Sequence, residues 1–246
     1  MKPLALCAIA VMAKAPQPGR SKTRLMPRLS ADQAAGLSAA FLRDITENIS
    51  AAARTERIDG FIAYAPAGLE HLFDGHLATG TGLVLADGTP PMPPTVMGFG
   101  RCLLHAIDGL LRAGYSAAVV LNSDSPSLPL DYLIRTAALL AAPGDRAVLG
   151  PAEDGGYYLL GLKKSYAHMF ADITWSSEHV AAQTRARAAE IGLELVELPV
   201  WYDVDDAAAL DRLIDELRAD QNLAPATAAW LATEGLLAVA AHKKRA

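Results

Sequence analysis

Short apolar runs alternate along the chain with longer stretches in which apolar residues recur at helical spacing. The first run, residues 4–13 (LALCAIAVMA), is continuously apolar, which is typical of a buried strand. Residues 30–54 show the pattern of an amphipathic helix, and Ser30 is placed to cap its N-terminus. The same patterns predict further strands at 60–66, 82–87, 116–124, 146–154, 156–163 and 193–199, and further helices at 96–113, 128–142, 176–191, 206–220 and from Pro225 onward.

Strands that alternate with helices indicate an α/β sandwich in which helices cover a mainly parallel sheet. The sequence contains no internal repeat, low-complexity linker or block of like charges. We therefore expect one domain over residues 1–246, with residues 222–246 as a C-terminal packing helix. The segment 86–98 is rich in glycine and proline, which is compatible with either a mobile loop or a rigid surface wrap.

Composition and charge narrow the possible partners. The 246 residues are 52% hydrophobic and 20% charged, with a formal net charge of −5. This balance argues against a nucleic-acid or membrane-surface binder, which would carry a broad basic face. No apolar run approaches the roughly 20 residues that span a bilayer. The two cysteines, Cys7 and Cys102, have no zinc or disulfide-framework spacing, so we expect a cytoplasmic protein.

Positive charge is nevertheless concentrated in one loop, residues 14–28, directly after the first strand. Gly19 allows close backbone approach, and Lys22 and Arg24 would point to the same side of an extended stretch. Backbone N–H groups beside cationic side chains are what a phosphate group requires. The alternative is a solvated basic loop, but its position at a strand end in an acidic chain favours an anion site. The cations of the loop are Lys14, Arg20, Lys22, Arg24 and Arg28.

Acidic residues follow two other predicted strands. Asp124 ends the strand 116–124, and Asp203 and Asp205 lie on one side of the segment WYDVDD. Mg²⁺ is usually held by one or two carboxylates together with phosphate oxygens, so these three residues are candidate metal ligands. Turn formation at Asp124 and helix capping by Asp205 or Asp206 would explain the same residues.

A third segment, PAEDGG, contains Gly155, which separates the predicted strands 146–154 and 156–163. Gly155 and Gly156 permit a tight turn or a close approach to a ligand. Glu153 and Asp154 stand beside them, and Asp154 could take a proton from an acceptor hydroxyl. A plain acidic hairpin turn is the alternative. Trp175, which precedes the helix 176–191, is expected either to pack in the core or to line a sugar or acceptor pocket.

The order and spacing of five motifs resemble a family of small bacterial GT-A-like proteins described as nucleotide-diphospho-sugar transferases. Some members are labelled arsenosugar-type glycosyltransferases, and the family is distantly similar to the molybdopterin and phospholactate nucleotidyltransferases. The resemblance covers roughly residues 4–215. The motifs are AKAPQPGRSKTRL, NSDSPSLP, PAEDGGYYLLGL, ITWSSEHV and WYDVDD.

This resemblance implies a three-layer GT-A-like sandwich that binds a nucleotide over the first half of its sheet. It implies that Gly19, Lys22 and Arg24 contact the phosphates. Asp124 would be the acidic metal ligand, and Asp203 or Asp205 the second ligand. The turn Asp154–Gly156 would face the acceptor. The segment PPMPPTVMGFGRCLL departs from the polar, glycine-rich approach to the helix that the family pattern predicts.

Together these features predict a metal-dependent glycosyltransferase-type enzyme. It would use a nucleotide-diphospho-sugar, Mg²⁺ or Mn²⁺ and a small acceptor, with Lys22 and Asp154 as catalytic residues and Glu153, Gly155, Gly156 and Trp175 on the acceptor side. One alternative is a nucleotidyltransferase, which would transfer NMP from an NTP to a phosphorylated acceptor and release pyrophosphate. The other alternative is a nucleotide-binding module without turnover.

Overall fold

A computed structural model describes residues 7–237 of the chain. Residues 4–6 of the first predicted strand and 238–246 of the predicted C-terminal helix lie outside the described residues. The strands are β1 (Cys7–Ala13), β2 (Ile58–Tyr64), β3 (Gly82–Leu85), β4 (Ala117–Leu121), β5 (Arg146–Pro151), β6 (Tyr157–Leu162) and β7 (Glu194–Glu197). The α-helices are α1 (Ala31–Ala52), α2 (Phe99–Arg112), α3 (Leu130–Ala141), α4 (Val180–Glu190), α5 (Ala207–Ala219) and α6 (Pro225–Thr233).

The strands form one seven-stranded sheet in the order β3-β2-β1-β4-β6-β5-β7. All neighbouring pairs are parallel except the two that involve β6, which runs antiparallel to β4 and β5. The carboxyl ends of β1, β2, β3 and β4 therefore meet at one edge of the sheet. Because β6 is reversed, its first residue, Tyr157, lies at that same edge. The prediction of a mainly parallel α/β sheet is confirmed.

Alternation along β1 builds two cores, one on each face of the sheet. Cys7, Ile9 and Val11 face a cluster that includes buried side chains of α1 and α3. Ala8 and Ala10 face the other cluster, which α2 and α4 help to form. Since both faces of the strand are covered, a continuously apolar sequence is required. A third cluster joins α1, α5 and α6.

Local capping explains where several helices begin. Ser30 caps α1 as predicted, and Gln33 completes a reciprocal capping box with it. Asp206 caps α5, because its Oδ1 accepts from the N–H of Ala209 at 2.8 Å. The helix predicted at 176–191 begins only at Val180, so that boundary was wrong. Ser176 has a φ of +63° and Ser177 Oγ donates to the carbonyl of Thr174, so both residues belong to a turn.

The segment 86–98 is held against the body of the protein. The Arg101 guanidinium donates to the carbonyls of Gly88 and Pro90, both at 2.9 Å. Farther along, the carbonyl of Thr95 accepts from the N–H of Asp172 at 2.9 Å. These bonds favour the surface wrap over the mobile loop. Helix α2 starts at Phe99, immediately after this wrap and at the carboxyl edge of the sheet.

Candidate functional site

The cationic loop that follows β1 is closed by a turn centred on Gly19. The N–H groups of Arg20 and Ser21 both donate to the carbonyl of Gln17, at 3.0 and 3.1 Å. The buried Ser21 hydroxyl accepts from the N–H of Gln17 at 3.1 Å. Gly19 has a φ of +73°, which favours glycine, and nothing lies within 4 Å of the position that a Cβ would occupy. Gly19 is therefore needed for the conformation of the turn.

Lys22 points inward, and its side chain is only 6% exposed. Its Nζ lies 2.5 Å from Asp124 Oδ1, 2.8 Å from the carbonyl oxygen of Val204 and 3.5 Å from Asp205 Oδ1. These three oxygens match the three N–H donors of an ammonium group. Lys22 thus ties the cationic loop to the acids that follow β4 and β7. Its predicted contact with phosphate stays a prediction, because protein oxygens use its donors in this structure.

The three predicted acids come together at this edge of the sheet. The N–H of Val204 donates to the carbonyl of Asp124 at 2.8 Å, and the Ser125 hydroxyl donates to the carbonyl of Tyr202 at 2.8 Å. These bonds place Asp203 and Asp205 beside Asp124. The sequence could not predict them, because they join segments that are about eighty residues apart.

The acids raise one another's proton affinity. Burial, followed by the charges of Asp205, Asp154 and Asp124, raises the pKa of Asp203 to about 6. Burial and the charge of Asp124 also raise the pKa of Asp205, although Lys22 and Arg24 oppose that shift. The site therefore holds more buried negative charge than Lys22 alone neutralises. An additional cation would be stabilised there.

A divalent metal ion would be such a cation. Within residues 7–237, no group of three or more His, Cys, Asp and Glu side chains is arranged to hold a metal ion by itself. Two carboxylates completed by phosphate oxygens and water are, however, a usual environment for Mg²⁺. The excess of carboxylates thus fits a metal ion that shares its coordination with a bound phosphate. Asp124, Asp203 and Asp205 remain its predicted ligands.

A cavity of about 410 Å³ opens at the carboxyl edge of the sheet. This volume is typical of a small-molecule site. Its lining includes the cations Lys14, Arg20, Lys22 and Arg24 and the carboxylates of Asp124 and Asp205. Of the residues predicted to bind phosphate, only Gly19 is not in the lining. The arrangement places cations and carboxylates around one space, as required to hold phosphate together with a metal ion.

Sequence reasoning missed part of this lining. The ends of β2 and β3 contribute Ala65 and Ala86, and the first turn of α2 contributes Phe99 and Cys102. These residues carry no charged motif, so a search for charged side chains passes over them. The available signal was topological, since the ends of parallel strands share one edge of the sheet. The patterns at 60–66 and 82–87 predict strands and indicate nothing about the residues that follow them.

The residues predicted on the acceptor side lie outside this cavity. Glu153 pairs with Arg212 at 3.0 Å, and Asp154 Oδ1 accepts from the N–H of Gly156 at 2.8 Å, which closes the turn between β5 and β6. A Cβ on Gly155 would lie 2.2 Å from the carbonyl oxygen of Glu178, so the close approach of the backbone before α4 by itself requires glycine there. Trp175 packs behind Phe99, with ring centroids 5.9 Å apart. The roles of these four residues toward an acceptor stay predictions.

Solved structures share this architecture. The chain is 28% identical to a "putative nucleotide-diphospho-sugar transferase" from Desulfovibrio desulfuricans G20, with a TM-score of 0.81 over 95% of this chain and 96% of that chain. A CMP:2-keto-3-deoxy-manno-octonic acid synthetase complexed with CTP is 11% identical, with a TM-score of 0.53 over 87% and 99% of the two chains. A cytidylyltransferase from Leptospira borgpetersenii is 10% identical, with a TM-score of 0.51 over 89% and 97%. The last two similarities show the fold alone.

The fold is therefore that of the GT-A-like nucleotide-diphospho-sugar transferases, as the five motifs implied. The chain also matches, over residues 48–177, the family described as "Uncharacterized protein conserved in bacteria (DUF2064)". That match spans more than half of the sequence, and the chain belongs to this family. No curated protein matches the chain. Among the described residues, no helix combines the length and apolar character that crossing a membrane requires.

Proposed function

We propose that the protein is a metal-dependent transferase of the GT-A type that takes a nucleotide-diphospho-sugar as donor and a small molecule as acceptor. The observation that carries this proposal is the 410 Å³ cavity, in which exposed cations face the carboxylates of Asp124 and Asp205. The fold and the 28% identity to the Desulfovibrio protein support it. The structural neighbours, which are nucleotidyl and glycosyl transferases, support the broader class of nucleotide-dependent transferase.

In this proposal the phosphates lie against the cationic loop. Lys14, Arg20 and Arg24 line the cavity, and the Arg24 side chain is 74% exposed, so its guanidinium is free to turn toward a ligand. Charge that develops on the departing nucleoside diphosphate would be stabilised by these preorganised cations. The nucleoside would lie along the small side chains at the ends of β1, β2 and β3, which leave room for its base.

The acidic residues would bind the metal ion, and Lys22 would position them. Asp124, with Asp203 or Asp205, would hold Mg²⁺ or Mn²⁺, which supplies positive charge beside the phosphates. Lys22 would keep Asp124 and Asp205 in place from behind through its three oxygen contacts. Asp154 remains the proposed base for the acceptor hydroxyl. Its charge reaches Asp203, which indicates that it stands near the acidic side of the site.

A nucleotidyltransferase is the second candidate. The number of cations in the lining favours it, because a triphosphate carries more negative charge than a diphosphate-sugar. It would bind an NTP in the same cavity and release pyrophosphate when the acceptor phosphate attacks the α-phosphate. Analysis of the released product separates the two reactions.

The first experiment is a thermal-shift panel of nucleoside di- and triphosphates and nucleotide sugars, each with and without Mn²⁺. A ligand at 100 times its dissociation constant stabilises a protein by about 2.7 kcal/mol, which gives a clear shift in melting temperature. The Arg24→Ala variant should lose the shift. The Arg112→Ala variant is the matched control, because that side chain is 77% exposed and pairs with Asp108 on the same helix.

The outcomes distinguish the candidates. Release of nucleoside diphosphate from a nucleotide sugar would support the glycosyltransferase, and release of pyrophosphate would support the nucleotidyltransferase. Binding without turnover would leave a nucleotide-binding module. If no nucleotide shifts the melting temperature, with or without Mn²⁺, the cavity binds some other anion and the proposal fails.

A further inference from the structure

A second cavity, of about 160 Å³, lies next to the cationic one. Met12, Phe99, Ser123 and Asp124 line both cavities, so the two spaces are contiguous. A ligand whose phosphates lie in the first cavity therefore ends within reach of the second. The shared boundary includes Asp124, the proposed metal ligand.

The chemistry of the second cavity differs from that of the first. Among residues 7–237, no lysine, arginine or histidine lines it, and most of this lining is apolar, for example Leu103, Val120 and Leu121. A phosphate placed there would lose its water without gaining a cation, which is costly. An uncharged ring incurs a smaller cost, because only its hydroxyl groups lose hydrogen bonds to water. Apolar cavities of about 150 Å³ are known to hold one six-membered ring.

An aromatic wall with a fixed position borders this space. Phe99 is 49% exposed, yet its ring meets Trp175 edge-on, with centroids 5.9 Å apart and an interplanar angle of 84°. Trp175 in turn meets Tyr157 edge-on at 6.5 Å and 79°. A Cβ on Gly100 would lie 2.8 Å from Trp175 Cζ2, so the glycine makes room for the indole. The exposed Phe99 ring is thus held in place beside the cavity, where another ring can stack on it.

Beside the polar residues Asn122, Ser123 and Asp124, the lining includes Tyr157. Its hydroxyl oxygen is buried and has no hydrogen-bond partner among the described residues. The neighbouring Tyr158 differs, because its hydroxyl donates to the carbonyl of Pro199 at 3.0 Å. Burial also raises the pKa of the Tyr157 hydroxyl, so it stays neutral and can donate. A buried hydroxyl without a partner is unfavourable, and a ligand oxygen would relieve that cost.

We propose that the 160 Å³ cavity binds an uncharged, hydroxyl-bearing ring that stacks on Phe99 and accepts a hydrogen bond from Tyr157. This inference rests on the proposed function, because it places the ring beside the phosphates of a bound nucleotide. The sugar of the donor and the ring of the acceptor share this chemistry. The two sources are separated by the test.

The test compares Tyr157→Phe, which removes only the hydroxyl, with Tyr115→Phe as control. The Tyr115 hydroxyl donates to Asp59 at 2.9 Å and lines neither cavity. Calorimetric titration uses UDP, GDP, CDP and ADP, their glucose conjugates, and glucose or phenol added to the protein saturated with the diphosphate. Tyr157→Phe should weaken ring binding about tenfold, as loss of one hydrogen bond implies, and leave diphosphate binding unchanged. Phe99→Leu should weaken ring binding as well.

A loss confined to the glucose conjugates assigns the cavity to the donor sugar, and a loss confined to glucose or phenol assigns it to the acceptor. The melting temperature of Tyr157→Phe should equal or exceed that of the wild type, because the hydroxyl has no partner to lose. The inference is overturned if the diphosphates bind but both variants bind every ring compound as tightly as the wild type does. It is also overturned if Tyr157→Phe weakens the diphosphates equally. Failure of all nucleotides to bind would instead reject the proposed function.

Discussion

Replacing Lys22 with methionine would remove the one buried cation that links the cationic loop to the acids. Methionine retains a flexible apolar stem, but it loses the cation–π contact of Nζ with the Phe41 ring, whose centroid lies 5.0 Å away. Residue 22 has a left-handed backbone, with a φ of +49°, and methionine tolerates this conformation about as well as lysine does. The substitution therefore changes charge and hydrogen bonding more than packing or backbone strain.

The expected loss of stability arises because the carboxylates of Asp124 and Asp205 are left without their buried counter-ion. Breaking a fully buried ion pair costs about 3–5 kcal/mol, because the remaining charge has no partner. Asp124 and Asp205 are 30% and 39% exposed, so water can hydrate them in part. We expect Lys22→Met to lower the free energy of unfolding by about 2 kcal/mol at pH 7, below the fully buried range for that reason.

Urea denaturation in the presence of a chelator measures this loss. Arg24→Met is the control, because Arg24 lies 3.5 Å from Asp205 but is 74% exposed, so its loss should cost under about 1 kcal/mol. Asp124→Asn in the Lys22→Met background should recover part of the stability, since it removes the unpaired charge. Lys22 does not act as the internal counter-ion if Lys22→Met lowers the free energy of unfolding no more than Arg24→Met does. The same conclusion follows if Asp124→Asn destabilises the Lys22→Met variant further.

Three further predictions concern other parts of the molecule. Cys102 lines the 410 Å³ cavity, whereas Cys7 is buried and its pKa is raised to about 12, so alkylation should modify Cys102 alone and a bound nucleotide should slow the reaction. Cys102→Ser is the control, and an unchanged alkylation rate with a nucleotide that raises the melting temperature would contradict the site. Gly155 has a φ of +86° and a Cβ there clashes with Glu178, so Gly155→Ala should lower the free energy of unfolding by more than about 2 kcal/mol, whereas Gly192→Ala, with a φ of +63° and open space, should lower it by about 1 kcal/mol. Equal losses in urea denaturation would refute the packing argument. Arg185 lowers the pKa of Glu197, so this pair should stabilise the protein above pH 4.5 and lose that effect as the pH falls through the lowered pKa. Arg185→Gln should therefore lower the free energy of unfolding by under about 1 kcal/mol at pH 7 and leave it unchanged once Glu197 is protonated, and a loss of stability independent of pH would exclude the ion pair as its cause.

The features that the sequence predicted well depend on neighbours along the chain. The continuous apolar run of β1 and the alternation of strands with helices are local patterns, and they indicated the α/β class. Ser30 and Asp206 cap helices through bonds to backbone N–H groups three residues away. Even the error at α4 is local, because Ser176 and Ser177 form a turn where the helical pattern had already begun.

The function of several site residues depended on distant partners instead. Lys22 was predicted to contact a phosphate, but the oxygens that contact its Nζ belong to Asp124, Val204 and Asp205. The last two residues are more than 180 positions away from Lys22 in the sequence. Gly155 was interpreted as a position where a ligand could approach closely, and the close approach of the Glu178 backbone by itself accounts for the glycine. Tyr157 belongs to the motif PAEDGGYYLLGL, but the motif does not show where its side chain lies. The reversed direction of β6 brings Tyr157 to the carboxyl edge of the sheet, where Phe99 begins α2.

By itself, the sequence determined the class of fold, the cations and carboxylates available for a site, and the helix ends that local hydrogen bonds specify. The tertiary structure decided which of these charges neutralise one another inside the protein and which face a cavity. The physical reason is that capping and periodic burial act over a few residues, whereas desolvation and charge pairing depend on which strand ends the sheet brings together.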